Sequence, residues 1–200
     1  SALYGAIPAE LSKHDKVFNL SDIDKNGKFS NYEDPIYLLE DSMIVNTCYN
    51  SSEPSIALGL NTDLSTMKLY SGDTGLLVSM AIDSGTSTEN EIYIDILQDR
   101  LHINEGMFAE NVVAQALRAN GHKLFFHAFY KKNEDGTSSK NRSEVDFLIK
   151  EGKKISAVEV KTGKSTDHSS LDYLMDVYSK QLGQCYVLHT KDLRKEGKLL

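Results

Sequence analysis

Two alternating runs around a tight polar turn, Glu144-Val-Asp-Phe-Leu-Ile-Lys150 and Ile155-Ser-Ala-Val-Glu-Val-Lys161 on either side of Glu-Gly-Lys-Lys, constrain this chain more than any other feature. β-Branched and aromatic residues closed by a glycine-containing turn specify an antiparallel hairpin. With the turn centred between Gly152 and Lys153, facing residues have numbers adding to 305, so Asp146 faces Glu159 and Glu144 faces Lys161. Alternation places Glu144, Asp146 and Leu148 on one face, and Ile155, Ala157, Glu159 and Lys161 on one face of the returning strand. Directly opposed residues have β-carbons about 4.5–5.5 Å apart, where like charges repel. A divalent cation between Asp146 and Glu159 would turn that repulsion into coordination.

The segments around the hairpin read as a helix over 104–120, a strand over 122–130, strands over 142–150 and 155–162, a helix over 169–180 and a strand over 184–190. Asn120-Gly121 stops the first helix, and 131–141 is a polar loop. Upstream, helical signals at 2–13 and 32–41 precede an apolar strand over 43–49. A strand at 68–70 and a helix capped by Asp73 follow. The polar stretch Asp83 to Glu91 separates the two patterns, which gives modules at 1–85 and 92–200. The expected class is α/β, α+β overall. Helices followed by a two-stranded ribbon suggest a winged-helix-like first module, able to bind DNA or to dock a neighbour.

The chain has 200 residues, 40% of them hydrophobic and 26% charged, enough for one substantial core or two small ones. No apolar run approaches the length of a membrane span, and no basic-then-apolar signal segment opens the chain. The two cysteines, Cys48 and Cys185, have no metal-ligand or redox spacing, so both are expected to be reduced and buried in a cytoplasmic protein. Ser1 suggests a piece cut from a longer protein. The net charge of −7 is unevenly spread: residues 1–100 carry 6 Lys and Arg against 16 Asp and Glu, residues 101–200 carry 16 against 13. A polyanion would therefore bind the second half, although solvated charged faces account for the same numbers.

A third acid lies on the helix before the hairpin. Glu110 shares helical spacing with Met107, Val113, Ala114 and Leu117, so a carboxylate interrupts a buried stripe. A buried acid needs a proton, a partner or a metal. An N-terminal-turn glutamate or a salt bridge to a nearby lysine would account for it alone, but beside the Asp146 and Glu159 pair a place in a metal site moves ahead. Lys161 stands two residues beyond Glu159 on the same strand face. Carboxylates that hold Mg²⁺ or Mn²⁺, with an ammonium beside them, are what phosphodiester hydrolysis requires.

Glu110, the run Glu144-Val-Asp-Phe147 and Val158-Glu-Val-Lys161 resemble the core of the PD-(D/E)xK nuclease superfamily. The chain also resembles the DUF4143 region found C-terminal to AAA-type ATPase domains. That likeness runs from Ile7-Pro8 through Tyr32-Glu-Asp, Leu38-Leu-Glu-Asp41 and Leu69-Tyr-Ser-Gly-Asp-Thr-Gly-Leu-Leu77. It continues through Phe108-Ala-Glu-Asn-Val-Val-Ala-Gln115 and Arg142-Ser-Glu-Val-Asp-Phe-Leu-Ile149. It implies a winged-helix-like segment followed by a restriction-endonuclease-like α/β core with a mixed sheet, and an ATPase module elsewhere in the protein as partner. It further implies Asp146, Glu159 and Glu110 as metal ligands and Lys161 as the catalytic lysine. Glu144 departs from the pattern as an extra acid able to neutralise Lys161.

Two other motifs compete. Asp22-Ile-Asp-Lys-Asn-Gly-Lys-Phe-Ser-Asn-Tyr-Glu33 fits a twelve-residue calcium loop, with Asp22, Asp24, Asn26, the Lys28 carbonyl and Glu33 as ligands. Such loops normally pair, and no second one occurs here, so a solvated acidic turn is the other reading. Thr162-Gly-Lys-Ser165 resembles the end of a Walker loop, but the required earlier glycine is Val158, so nucleotide is not expected. His122, His127, His168 and His189 show no metal spacing and read as structural or surface residues. Three functions follow: a metal-dependent nuclease-like DNA-processing domain, a catalytically silent module that binds nucleic acid or protein, and a calcium-binding module.

Overall fold

The computed structural model describes residues 2–13, 15–22, 24–82, 105–133, 136–163, 167–189, 195 and 197–200. The boundary stretch Asp83–Glu91 lies outside them. Among the described residues are five α-helices: α1 (Ala2–Leu11), α2 (Glu33–Asp41), α3 (Thr74–Ile82), α4 (Glu105–Ala119) and α5 (Ser169–Val177). Six strands accompany them: β1 (Val45–Ser51), β2 (Thr62–Ser71), β3 (Leu124–Lys132), β4 (Ser138–Glu151), β5 (Lys154–Val160) and β6 (Leu182–Leu188). They form one open sheet in the order β2-β1-β3-β4-β5-β6. β1 runs parallel to β3 and β5 to β6, while β3–β4 and β4–β5 are antiparallel. The class is mixed α/β, as the sequence indicates. No helix among the described residues is long and apolar enough to cross a membrane.

The chain divides into two compact units, Ser1–Asn46 with Lys68–Gln115 and Thr47–Met67 with Ala116–Leu200. Each is discontinuous, whereas the sequence reads as successive blocks. The difference arises at β1 and β2. Expected as the ribbon of a winged module, they instead belong to the same sheet as β3 to β6, with Cys48, Tyr49 and Asn50 of β1 beside Leu124, Phe125 and Phe126 of β3. A period of two identifies a strand but does not name its neighbour.

In the first unit, Leu3, Ile7 and Leu11 of α1, Leu77 of α3, Ile36 of α2, and Met107 and Ala114 of α4 are buried, with α1 packed on α3. Asp73 caps α3 as its sequence suggests, its Oδ1 accepting from the Leu76 N–H at 2.8 Å. The C-terminus of α2 is less usual. Ile44 N–H reaches back to the Leu39 carbonyl at 3.0 Å, and Met43 takes the left-handed cap position at φ 57, a place normally held by glycine. This cap turns the chain against Gly72, whose N–H donates to the Ile44 carbonyl at 2.8 Å. A β-carbon on Gly72 would sit 2.1 Å from the Met43 carbonyl oxygen. Gly72→Ala therefore forces two backbone segments apart, and a loss of about 1–3 kcal/mol is expected in a denaturant titration. An unchanged midpoint would show that the approach is not needed.

In the second unit, Leu171 and Leu174 of α5 cover a core of Leu58, Val145, Leu148, Ile155, Ala157, Leu182 and Cys185. The β4–β5 hairpin has the expected register: every pair from Phe147↔Val158 to Glu151↔Lys154 adds to 305. Gly152, at φ 60, supplies the positive dihedral that a two-residue hairpin turn requires. Strict alternation fails on the other side of β4. Phe125 pairs with Leu148 and His127 with Val145, so two steps of β3 span three of β4. Val145 and Leu148 consequently join the same core cluster. The expected single face for Glu144, Asp146 and Leu148 is thus corrected by a bulge at Asp146-Phe147, a device that re-aims side chains. Beyond β6, residues 198–200 run alongside the strand through bonds between Lys198 O and Cys185 N (2.8 Å) and between Leu200 O and Val187 N (2.8 Å). Cys48 and Cys185 are free thiols and buried, as expected.

Candidate functional site

The second unit gathers Asp146, Glu159 and Lys161 at the end of the β4–β5 hairpin remote from its turn. Asp146 and Glu159 retain 7% and 5% of their exposure. Asp146 lies at the bulge, and its Oδ2 accepts from the Val160 N–H of β5 at 2.8 Å. That bond ties Asp146 to the residue following Glu159 and fixes the carboxylate against β5. Val160 in turn pairs with Leu188 of β6, and the Lys161 N–H donates to the Leu188 carbonyl at 2.9 Å. The strand is therefore held on both sides up to the point where the lysine leaves it.

Lys161 carries its ammonium back onto Glu159, with Nζ 2.8 Å from Oε1. The side chains are 29% and 7% exposed. The Lys161 ammonium thus pairs within its own strand segment, and on the β3 side Glu144 lies opposite Ala128. Burial works against the charged amine. The hydrogen bond and charge of Glu159, with the charges of Asp146 and Asp167, outweigh it and raise the pKa of Lys161 above the ordinary lysine value.

Asp167 escapes the sequence reading. It sits just before α5 and accepts from the Ser169 N–H at 3.0 Å. The two bonds from Ser169, backbone and side chain, hold its carboxyl below the usual range, and the charges of Lys161 and Lys131 add to the effect. The only signal available in the sequence is the Asp-x-Ser spacing at a helix start, which reads as a cap rather than as a neighbour of Lys161.

Glu110 belongs to the first unit and is engaged there. Lys16 donates an ion-paired hydrogen bond to Oε1, and the Tyr70 hydroxyl donates to Oε2 at 3.2 Å. The sequence puts a place in a metal site ahead for it, whereas the arrangement seen is the ion pair with a lysine. The residues after it on α4 also bind chain. Asn111 accepts from the Ser71 N–H at 2.8 Å and donates to the Ser71 carbonyl at 3.1 Å, while Gln115 Oε1 accepts from the Thr74 N–H at 3.2 Å and from the Thr74 hydroxyl at 2.9 Å. Glu110, Asn111 and Gln115 together thus fasten Tyr70 to Thr74, the segment that leads into α3.

The calcium-like loop has its own structural causes. Asp24 forms an Asx turn, its Oδ1 accepting from the Asn26 N–H at 3.0 Å, and its Oδ2 accepts from the Tyr32 hydroxyl at 3.3 Å. A β-carbon at Gly27 would meet the Asp24 carbonyl oxygen at 3.0 Å and the Tyr32 ring at 3.1 Å. The Lys28 carbonyl accepts from the Asn31 N–H at 2.9 Å. Glu33 and Asp34 stand in the first turn of α2, where the helix dipole favours acids. Each of these positions has a role in the turn. Among the described residues, no group of three or more His, Cys, Asp and Glu side chains is gathered to hold a metal. Val158, at the place of the missing Walker glycine, is a buried strand residue opposite Phe147.

His127 is the one histidine of the four with a clear core role. Its Nδ1 lies 2.7 Å from the Ser51 carbonyl oxygen, and its ring stacks on Phe129 at 5.2 Å and meets Tyr178 edge-on at 5.9 Å. Burial pushes its pKa below the ordinary value, so the ring is a neutral packing group.

Residues 105–198 match a family model described as Domain of unknown function (DUF4143), and residues 1–90 match another described as Domain of unknown function (DUF8612). No curated protein matches the chain. The DUF4143 match is confined to the second half, which corrects the nearly full-length reach of the resemblance. The segments from Ile7 to Leu77 fall within the DUF8612 match instead.

Proposed function

We propose that the second unit is a metal-dependent, nuclease-like domain that acts on the phosphodiesters of DNA, similar in its site to the PD-(D/E)xK superfamily. The observation that carries this reading is the meeting of two buried carboxylates, Asp146 and Glu159, with the Lys161 ammonium at one end of a rigid hairpin. The donor set fits the metal: carboxylate oxygens are the hard ligands that Mg²⁺ and Mn²⁺ prefer, and water fills the remaining positions. When bound, such a metal supplies a Lewis acid and a water of lowered pKa. Asp146 and Glu159 would hold it. Lys161 would offer its ammonium to a phosphate oxygen and offset the negative charge that grows in the transition state. Glu110 is committed to Lys16 and Tyr70, so the metal-holding role is assigned to the hairpin pair.

The resemblance to regions that follow AAA-type ATPase domains makes such a module the proposed partner within the same protein. A second reading, a catalytically silent module that binds DNA or protein, is favoured by one observation: Glu159 is already neutralised by Lys161. Cleavage of single- and double-stranded DNA in Mn²⁺ separates the two. The nuclease reading expects metal-dependent cleavage by the wild type. It expects a loss of about 10²-fold or more in Lys161→Ala, as for removal of one preorganised electrostatic contact. Lys161→Arg should rescue only in part, because a planar guanidinium is not a compact ammonium. Wild type that leaves both substrates intact would establish the silent module. Equal cleavage by Lys161→Ala would remove the lysine from the chemistry.

A further inference from the structure

We propose that Lys161 is a built-in counter-cation, one that occupies the Asp146–Glu159 acid pair and that a divalent metal must displace in order to bind. The inference rests on the metal reading of that site and goes beyond it: it makes the lysine a competitor of the metal before it can serve any substrate.

The geometry leads there directly. Two carboxylates buried to 7% and 5% exposure on adjoining strands repel each other and cannot be left uncompensated. Asp146 obtains one N–H from Val160. Lys161 brings a full positive charge to the pair, 2.8 Å from Glu159 and close enough to Asp146 to feel its charge. The lysine is still 29% exposed, so its long side chain has solvent into which to swing. Glu159, at 7%, has no such freedom, because β5 is paired on both sides. The mobile member of the pair is therefore the cation. An ammonium brings one charge to the two carboxylates and a divalent ion brings two, so exchange restores neutrality and frees the lysine.

A competitor and a helper give opposite results when removed. Mn²⁺ binding is measured by calorimetry, and thermal unfolding is followed in EDTA and in excess Mn²⁺, for wild type, Lys161→Met, Lys161→Gln and Asp146→Ala. The counter-cation account expects Lys161→Met and Lys161→Gln to bind Mn²⁺ about tenfold more tightly than wild type, because a like charge a few ångströms from the ion is gone. It also expects both variants to melt at lower temperature in EDTA and to regain most of the difference in Mn²⁺. Binding by the variants where wild type shows none would support it most strongly. Equal or weaker binding by both lysine variants overturns it while leaving the metal site intact. Mn²⁺ binding that persists in Asp146→Ala removes the metal reading of the pair and the inference with it. So does the absence of Mn²⁺ binding in every protein.

Discussion

Replacing Glu110 by alanine is expected to lower the unfolding free energy by about 3–5 kcal/mol, the usual cost of leaving one half of a buried ion pair uncompensated. The Glu110 side chain is 7% exposed and that of its partner Lys16 is 13% exposed. Without the carboxylate, the Lys16 ammonium must stay buried and unneutralised, or pull out into water and open the packing around α4. The Tyr70 hydroxyl loses its acceptor at the same time. Against a domain stability of about 5–15 kcal/mol, this is a large share. Chemical denaturation measures it. A double variant, Glu110→Leu with Lys16→Met, should recover most of the loss, because two apolar groups of similar volume need no partner. An unfolding curve unchanged in Glu110→Ala, together with weakened Mn²⁺ binding, would instead return Glu110 to the metal site.

What the sequence reveals depends on how far apart the interacting residues lie. The β4–β5 hairpin is local, so its register can be read from the turn and agrees pair by pair from Phe147 to Glu151. The Asp73 cap and the stop of α4 at Asn120-Gly121 are local too. The bulge at Asp146-Phe147 is not visible, because it exists only relative to β3, which no pattern within β4 encodes. It breaks the expected single face of Glu144, Asp146 and Leu148. The partners of Glu110 are equally hidden. Its burial follows from helical spacing, but Lys16 lies 94 residues away, and nothing in the chain links the two. The calcium motif shows the reverse effect: an Asx turn, a crowded glycine and a helix-opening acid reproduce a ligand pattern for local reasons of their own.

Asp146→Ala is expected to abolish divalent-metal binding, the second large effect. In the proposed site Asp146 would bring one of the two oxygen donors, and its bond to the Val160 N–H presets its position. Losing one of two carboxylates removes a full negative charge from a site defined by charge, and one remaining acid, paired with Lys161, has little hold on a hydrated ion. The calcium-like loop supplies the internal control, since Glu33→Gln changes an acid of similar type elsewhere in the chain. Calorimetric titration of Mn²⁺ into the folded protein tests the claim most directly. The account predicts one site in the wild type, the same site in Glu33→Gln, and no measurable binding in Asp146→Ala. Unchanged Mn²⁺ affinity in Asp146→Ala, or loss of it in Glu33→Gln, would contradict the assignment of the hairpin carboxylates as the metal site.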